Sequence, residues 1–397
     1  MEEFEFRLRE TKGSDILLRV VLGPLIYSRE IKLNKIELIN RQQQLITCLA
    51  NFVDSNKNIF VNLKALAEEG YGAFRSIESQ IDTDTAFKNY WDKEFLGRFS
   101  QKNIVIREAQ DKRNVHMIFP KGYSFPFGLL FTKDPNKINF KKTPISEIIV
   151  HFFDLKFRIR NSFNEEDFAD GLAITDVSLK DALTQEIKVI HAINDEFTTK
   201  IEESCWGFDS QISPVFVYRT KDLLSSWHKK EFPRIIHFST HYKFFAQQSP
   251  SYQLTLSNKD GFSKEDLNKY GKPVPPKKAF FFLNACRSGS IQSLGYTDVL
   301  TDLFPNYSLG FIATLYDLLD ASAGNMPQKF YEIFIQQGKN IFDSFIESKR
   351  YLILSRKEYS ALGYLIWQVN PNLFYSKPNI KRPSLNKKKQ KLLSPQK

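Results

Sequence analysis

The chain opens on Glu3–Glu10, EFEFRLRE, where apolar and charged residues alternate, the period of a strand with one buried face. A branched apolar run, ILLRVVLG at Ile16–Gly23, follows a short polar break, so the two predict an antiparallel start. The period then lengthens. Between Lys35 and Ala67 the residues Leu38, Ile39, Leu45, Ile46, Leu49 and Phe52 fall at helical spacing, predicting one or two amphipathic helices. Another helix is expected near Ala86–Phe99, leading into QKNIVIREA and then a strand edge over Phe125–Phe131, FPFGLLF, whose Pro126 lacks the N–H a central strand would need.

The second half has a different rhythm. Short, almost wholly apolar runs alternate with helical stretches, the pattern of parallel strands buried on both faces with crossovers between them. The runs are SPVFVY (Ser213–Tyr218), RIIHFST (Arg234–Thr240), KAFFFLNA (Lys278–Ala285) and LGFIATLY (Leu309–Tyr316). The helical patterns include DEFTTKIEES, QKFYEIFIQQ and NIFDSFIESKRYLILS. The fold class expected is α/β, a mostly parallel sheet flanked by helices.

Composition narrows the class. With 42% hydrophobic and 14% aromatic residues, 397 residues bury at least one large core. No 18-residue apolar stretch reads as a membrane span, and MEEFEFRLRE is too charged for a signal peptide. Three cysteines, Cys48, Cys205 and Cys286, are an odd number without metal-ligand spacing, which points to a reducing compartment, so a cytoplasmic protein without metal or cofactor is expected. Of the formal net charge of +11, eight Lys or Arg with no acid lie in Ser376–Lys397, which leaves +3 for the rest. This basic tail is expected to be disordered and offers at most a weak, charge-driven nucleic-acid contact.

Ligands of open parallel sheets bind outside the carboxyl ends of the strands, and two of those ends carry His241 and Cys286. A thiol is a poor nucleophile until an imidazole generates or stabilises its thiolate, and Arg287, Ser288 and Gly289 after Cys286 supply a turn able to present backbone N–H groups. The bland alternatives stand beside this reading: a lone Cys is a common core residue, and a His at a strand end is usually only hydrogen-bonded. His237, inside the apolar run, reads as structural. Thr240 and Asn284 either orient the pair or satisfy local backbone groups.

The segments HFSTH, LNACRSG and GFIATLYDLLDASAGNMPQKFYEIFIQQG resemble, in order, successive motifs of the CHAT family, relatives of caspases and separase. The resemblance implies a caspase-like sheet, a His241–Cys286 dyad and peptide-bond hydrolysis. FPFGLLF, AITDVSLKDALTQEIKVIHAIND and ALGYLIWQVNP resemble further family segments at lower specificity. The expected organisation is 1–69, a β/α segment of unassigned role; 70–165, an inactive, buttressing half; 166–375, the protease half; and 376–397, the basic tail.

Where the family has Gly after the catalytic His, this chain has Tyr242. The resemblance gives that residue's backbone N–H, with that of Cys286, to the oxyanion hole. Positive φ there would cost a bulky residue about 1–2 kcal/mol, so a catalytically silent scaffold of the same fold stays open as the alternative. Asp317 and Asp320, shortly after another strand end, fit selection of a basic residue before the cleaved bond, while Asp320 equally suits a helix start. Partners implied by the resemblance are a protein substrate and an activating protein or nucleic-acid-sensing complex, as for a regulated effector of bacterial antiviral defence, with no membrane.

Overall fold

The computed structural model describes residues 3–11, 15–22, 27–54, 58–81, 84–96, 114–120, 124–163, 189–196, 204–207, 212, 214–227, 235–245, 251–263, 266, 279–285, 297–298, 308–316 and 323–367. The first half supplies β1 (Glu3–Glu10), β2 (Asp15–Leu22), β3 (Tyr27–Asn34), β4 (Asn114–Phe119) and β5 (Arg158–Phe163). The second supplies β6 (Val189–Ile193), β7 (Val215–Val217), β8 (Ile235–Phe245), β9 (Ser251–Thr255), β10 (Gly261–Phe262), β11 (Ala279–Ala285), β12 (Thr297–Asp298), β13 (Ser308–Thr314) and β14 (Tyr364–Trp367).

One continuous sheet runs β10-β9-β8-β11-β13-β14-β5-β4-β1-β2-β3, with β6 and β7 beside β8 and β12 beside β9. Most of its pairings are parallel, as the uninterrupted apolar runs require. Within the second half β7, β6, β8, β11 and β13 lie side by side and parallel. In chain order that is second, first, third, fourth, fifth, so the sequence reverses direction between β6 and β8. This is the switch point at which doubly wound sheets open a crevice.

The alternating start is confirmed as strand, with Phe4, Phe6 and Leu8 buried and Glu5, Arg7 and Arg9 on the other face. Helices α1 (Lys35–Asp54) and α2 (Ile59–Ile81) pack their apolar stripes onto the core, Leu45, Leu49, Leu63, Leu66 and Phe74 among them. Gly70 lets α2 press onto the FPFGLLF segment, where an added Cβ would lie 2.4 Å from the Leu129 carbonyl oxygen. That segment is not the strand edge its composition suggests. Phe127–Leu129 form a 3-10 turn after Pro126, and only Phe131 makes a bridge, to Phe152. Its rings are needed in the core, and the turn delivers Phe125, Phe127 and Phe131 there. The helix expected over 86–99 is described as Thr85–Tyr90 continued by a wider helical turn over Trp91–Leu96, while 97–99 lie outside the described residues.

The halves meet where β14 pairs with β5 at Trp367 and Asn161, and the Asn161 amide donates to the Ile366 carbonyl at 3.0 Å. Behind this seam Lys349, 1% exposed, donates to the Asp154 carboxylate and to the Tyr364 carbonyl at 2.8 Å. Gly128 lies so close to that carboxylate that a Cβ would approach it to 2.2 Å. Burial pushes the Lys349 ammonium pKa down, and Asp154 pulls it partly back. Lys349→Met or Asp154→Asn leaves an uncompensated buried partner. Each is expected to lower unfolding free energy by about 3–5 kcal/mol in urea titrations, while Lys349→Met with Asp154→Leu costs less than either alone.

Candidate functional site

β8 is flanked along its first half by β11 on one side and β6 on the other. The β8–β11 pairing is parallel and in step: His237 opposite Phe282, Phe238 opposite Leu283, Ser239 opposite Asn284, Thr240 opposite Ala285. On the other side His191 lies opposite His237 and Ile193 opposite Ser239. Successive side chains alternate faces, so His237, Ser239 and His241 share one face of β8. His241, expected at a strand end, instead lies within β8, which pairing with β9 carries on to Phe245, and it is half-buried there. Cys286, one peptide bond beyond Ala285, lies outside the described residues, as do Asp317 and Asp320.

The carboxyl end of β11 is tied from three sides. Thr314 donates its hydroxyl to the Ala285 carbonyl at 2.6 Å, the Asn284 amide donates to the Ala323 carbonyl at 2.9 Å, and Tyr364 donates to Asn284 Oδ1 at 2.7 Å. Asn284, 3% exposed, is therefore spent on anchoring the strand end. The Thr240 hydroxyl is buried and has no hydrogen-bond partner among the described residues. Tyr242 continues β8 in register with Leu254 of β9 and is absent from the residues with positive φ, so the strain foreseen for a non-Gly residue there does not arise. Strand pairing fixes it in the extended region instead.

Beneath His241 lies a polar cluster that the sequence reading did not assemble. Trp206 donates its indole N–H to His191 Nδ1 at 3.1 Å. An indole only donates, so the His191 proton sits on Nε2, which donates to Ser239 Oγ at 2.8 Å. With that proton placed, the Ser239 hydroxyl can donate to His237 Nε2 at 3.2 Å, and His237 Nδ1–H meets the Tyr331 oxygen at 3.0 Å. Both imidazoles are fully buried. Burial pushes the His191 pKa down to about 3 and that of His237 well below its ordinary value, His191 adding to the latter. The structural reading of His237 stands. The missed signal is the echo between KVIHAIND and RIIHFSTH, which the sheet aligns His191 to His237.

Asp195 and Glu196 emerge exposed just past the carboxyl end of β6 at the switch point. Glu196 accepts the Asn258 N–H at 3.1 Å, whereas the Asp195 carboxylate has no partner among the described residues. No group of three or more His, Cys, Asp or Glu among the described residues is arranged to hold a metal. No helix among them is long and apolar enough to cross a membrane.

Four of the six histidines, His116, His151, His191 and His237, have pKa values pushed down mainly by burial. Their folded values lie below the unfolded value of about 6.5, so as pH falls the unfolded chain takes up protons first. The stability they contribute is complete above about pH 6.5 and is lost as pH falls toward the folded values. Unfolding at pH 5 is expected to take up about four protons through these groups, read as the pH-slope of urea stability. In His191→Gln that uptake falls by one.

No family model matches this chain, and no curated protein matches it. Among solved structures, gingipain R, described as an Arg-specific cysteine proteinase, is similar over 74% of this chain and 70% of that one, at 12% identity and TM-score 0.45. Two crystal structures of the Saccharomyces cerevisiae separase–securin complex are similar at 10% identity, with TM-scores of 0.43 and 0.46, over 93% and 92% of this chain. In both, the matched region is 30% of the separase chain's length.

Proposed function

We propose that the chain is a cysteine endopeptidase in which Cys286 is the nucleophile and His241 its acid–base partner. The observation that carries this reading is the β8–β11 register. Thr240 and Ala285 are opposite one another, and the next residue of each chain is His241 and Cys286. Chain connectivity bounds the separation of their Cα atoms at about 12 Å, within convergence of a thiol and an imidazole over one crevice. In the proposed reaction the Cys286 thiolate attacks a peptide carbonyl, the C–N bond breaks, and His241 protonates the leaving amine. Water then hydrolyses the thioester, regenerating the thiol. Backbone N–H groups of Cys286 and Tyr242 are the proposed oxyanion donors.

The finer reading is a regulated protease half, 166–375, braced by 70–165, cleaving a protein partner in antiviral defence, with 1–69 and the basic tail as docking surfaces for an activator. Asp195 supports selection of a basic residue before the cleaved bond, since its carboxylate is exposed just past the carboxyl end of β6 at the switch point and has no partner among the described residues. Asp317 and Asp320 remain proposals for the same role. The alternative is a catalytically silent scaffold of the same fold, in which neither Cys286 nor His241 does chemistry.

A pooled peptide library, with and without lysate supplying partners, separates the readings. Cleavage lost in Cys286→Ala and reduced about 10²-fold or more in His241→Ala supports the peptidase. Cleavage that survives Cys286→Ala, or none under either condition, sinks it. With cleavage established, Asp195→Asn is expected to reduce turnover after Arg or Lys about tenfold or more while sparing other products.

A further inference from the structure

β8 changes its neighbour in the middle of its length. Through Ser239 it is paired with the parallel strand β6, and from His241 onward with the antiparallel strand β9, His241 lying opposite Thr255 and Phe245 opposite Ser251. At such a fork one ladder ends before the next begins, and the backbone groups exposed between them must find partners. Asn194, 1% exposed, fills the gap with its backbone N–H and both polar atoms of its side chain. Its backbone N–H donates to the Ser239 carbonyl at 2.9 Å. Its side-chain NH₂ donates to the Thr255 carbonyl at 3.1 Å and the Leu256 carbonyl at 3.2 Å, and its Oδ1 accepts the Glu196 N–H at 3.1 Å. A separate clip lies beside it, where Ser257 Oγ donates to the Ile193 carbonyl at 3.2 Å and accepts the Asp195 N–H at 3.0 Å.

We infer that Asn194 is a positioning residue for His241: its amide fixes β9 against the end of β6, and β9 in turn fixes the backbone register of His241. The inference rests on the proposed role of His241 for its catalytic meaning, while the geometry stands independently. An amide is the group the fork needs, since two carbonyls on one side demand two donors and the Glu196 N–H on the other demands an acceptor. Aspartate has nearly the same shape and offers no donor, so Asn194→Asp turns two attractive contacts into two repulsive ones. Ser257→Ala removes the neighbouring clip and leaves both Asn194 side-chain donors in place.

The test measures the wild type, Asn194→Asp, Ser257→Ala and His241→Ala in full-length protein, with near-ultraviolet circular dichroism to confirm folding. The first readout is the NMR titration of the His241 ring. Asn194→Asp is expected to shift its apparent pKa and ring resonances, while Ser257→Ala lowers thermal stability and leaves that titration at the wild-type value. The second is the pH profile of Cys286 alkylation by iodoacetamide, mapped by mass spectrometry with Cys48 and Cys205 as internal controls. At pH 6.5, Asn194→Asp is expected to lower the rate about tenfold or more, toward that of an ordinary thiol, as His241→Ala does. A His241 titration unchanged in folded Asn194→Asp, or shifted equally by Ser257→Ala, overturns the inference. If His241→Ala leaves Cys286 alkylation unchanged, the peptidase reading fails, and the ring titration still decides the role of Asn194. Should Asn194→Asp not fold, Asn194→Ser, which keeps one donor and one acceptor, is read in its place against the same two outcomes.

Discussion

The proposed site depends on the register between β8 and β11. Parallel strands have no hairpin to set their alignment, so register must come from side chains that tolerate only one offset. Here both strands are buried on both faces, and a slip of one residue would exchange Phe282 with Leu283 and carry Asn284 away from Ala323 and Tyr364. The apolar residues supply most of the burial energy without specifying which of them meets which. Specificity comes from the few polar atoms that a wrong offset would strand, namely Asn284 on β11 and Ser239 on β8. Asn284 stands one residue before the end of β11 and Ser239 two residues before His241, close to where the chemistry is proposed.

The same logic explains two neutral imidazoles in the centre of an aromatic core. His191 and His237 pack edge-on at 4.5 Å between ring centroids, and His237 stacks on Phe282 at 5.0 Å. As rings they fill space like phenylalanine. As hydrogen-bonding groups they join β6, β8, the Trp206 turn and the Tyr331 helix through a single hydroxyl, Ser239. A cluster like this stabilises only when complete, so it enforces the mutual placement of four elements that hydrophobic packing alone would leave free to slide. His241 extends the same row of side chains to the surface, and the rigidity beneath it is what a dyad partner requires.

Much of this was legible in the amino-acid sequence where burial was uniform. RIIHFST, KAFFFLNA and LGFIATLY fall in strands because an uninterrupted apolar run can be buried on both faces only in the middle of a parallel sheet. Legibility failed where the partner decides. The extension of β8 through HYKFF has no apolar pattern and is a strand because β9 pairs with it. FPFGLLF reads as a strand by composition, yet Pro126 and the close approach of Gly128 to Asp154 turn it. His241 was singled out because a reactive residue type just after an apolar run has chemical meaning by itself, although the strand runs on past it. Asn194 has none until Thr255 and Leu256, more than 60 residues away along the chain, are brought beside it.

The position of β14 has a consequence for how the chain is made. It is the last strand in sequence among the described residues, yet it stands in the interior of the sheet, between β13 and β5. While the polypeptide emerges from the ribosome, the strands on either side can form their own local pairings, but the two groups cannot be joined until residues 364–367 are available. The sheet is therefore completed by its most distant contacts, which close slowly because the chain entropy of a long loop is paid first. A nascent or truncated chain ending before Tyr364 would hold two separate sheet fragments with β13 and β5 as bare edges. Continuity of the sheet, and with it the Tyr364 hydroxyl that anchors Asn284, arrives only once residues 364–367 have been made.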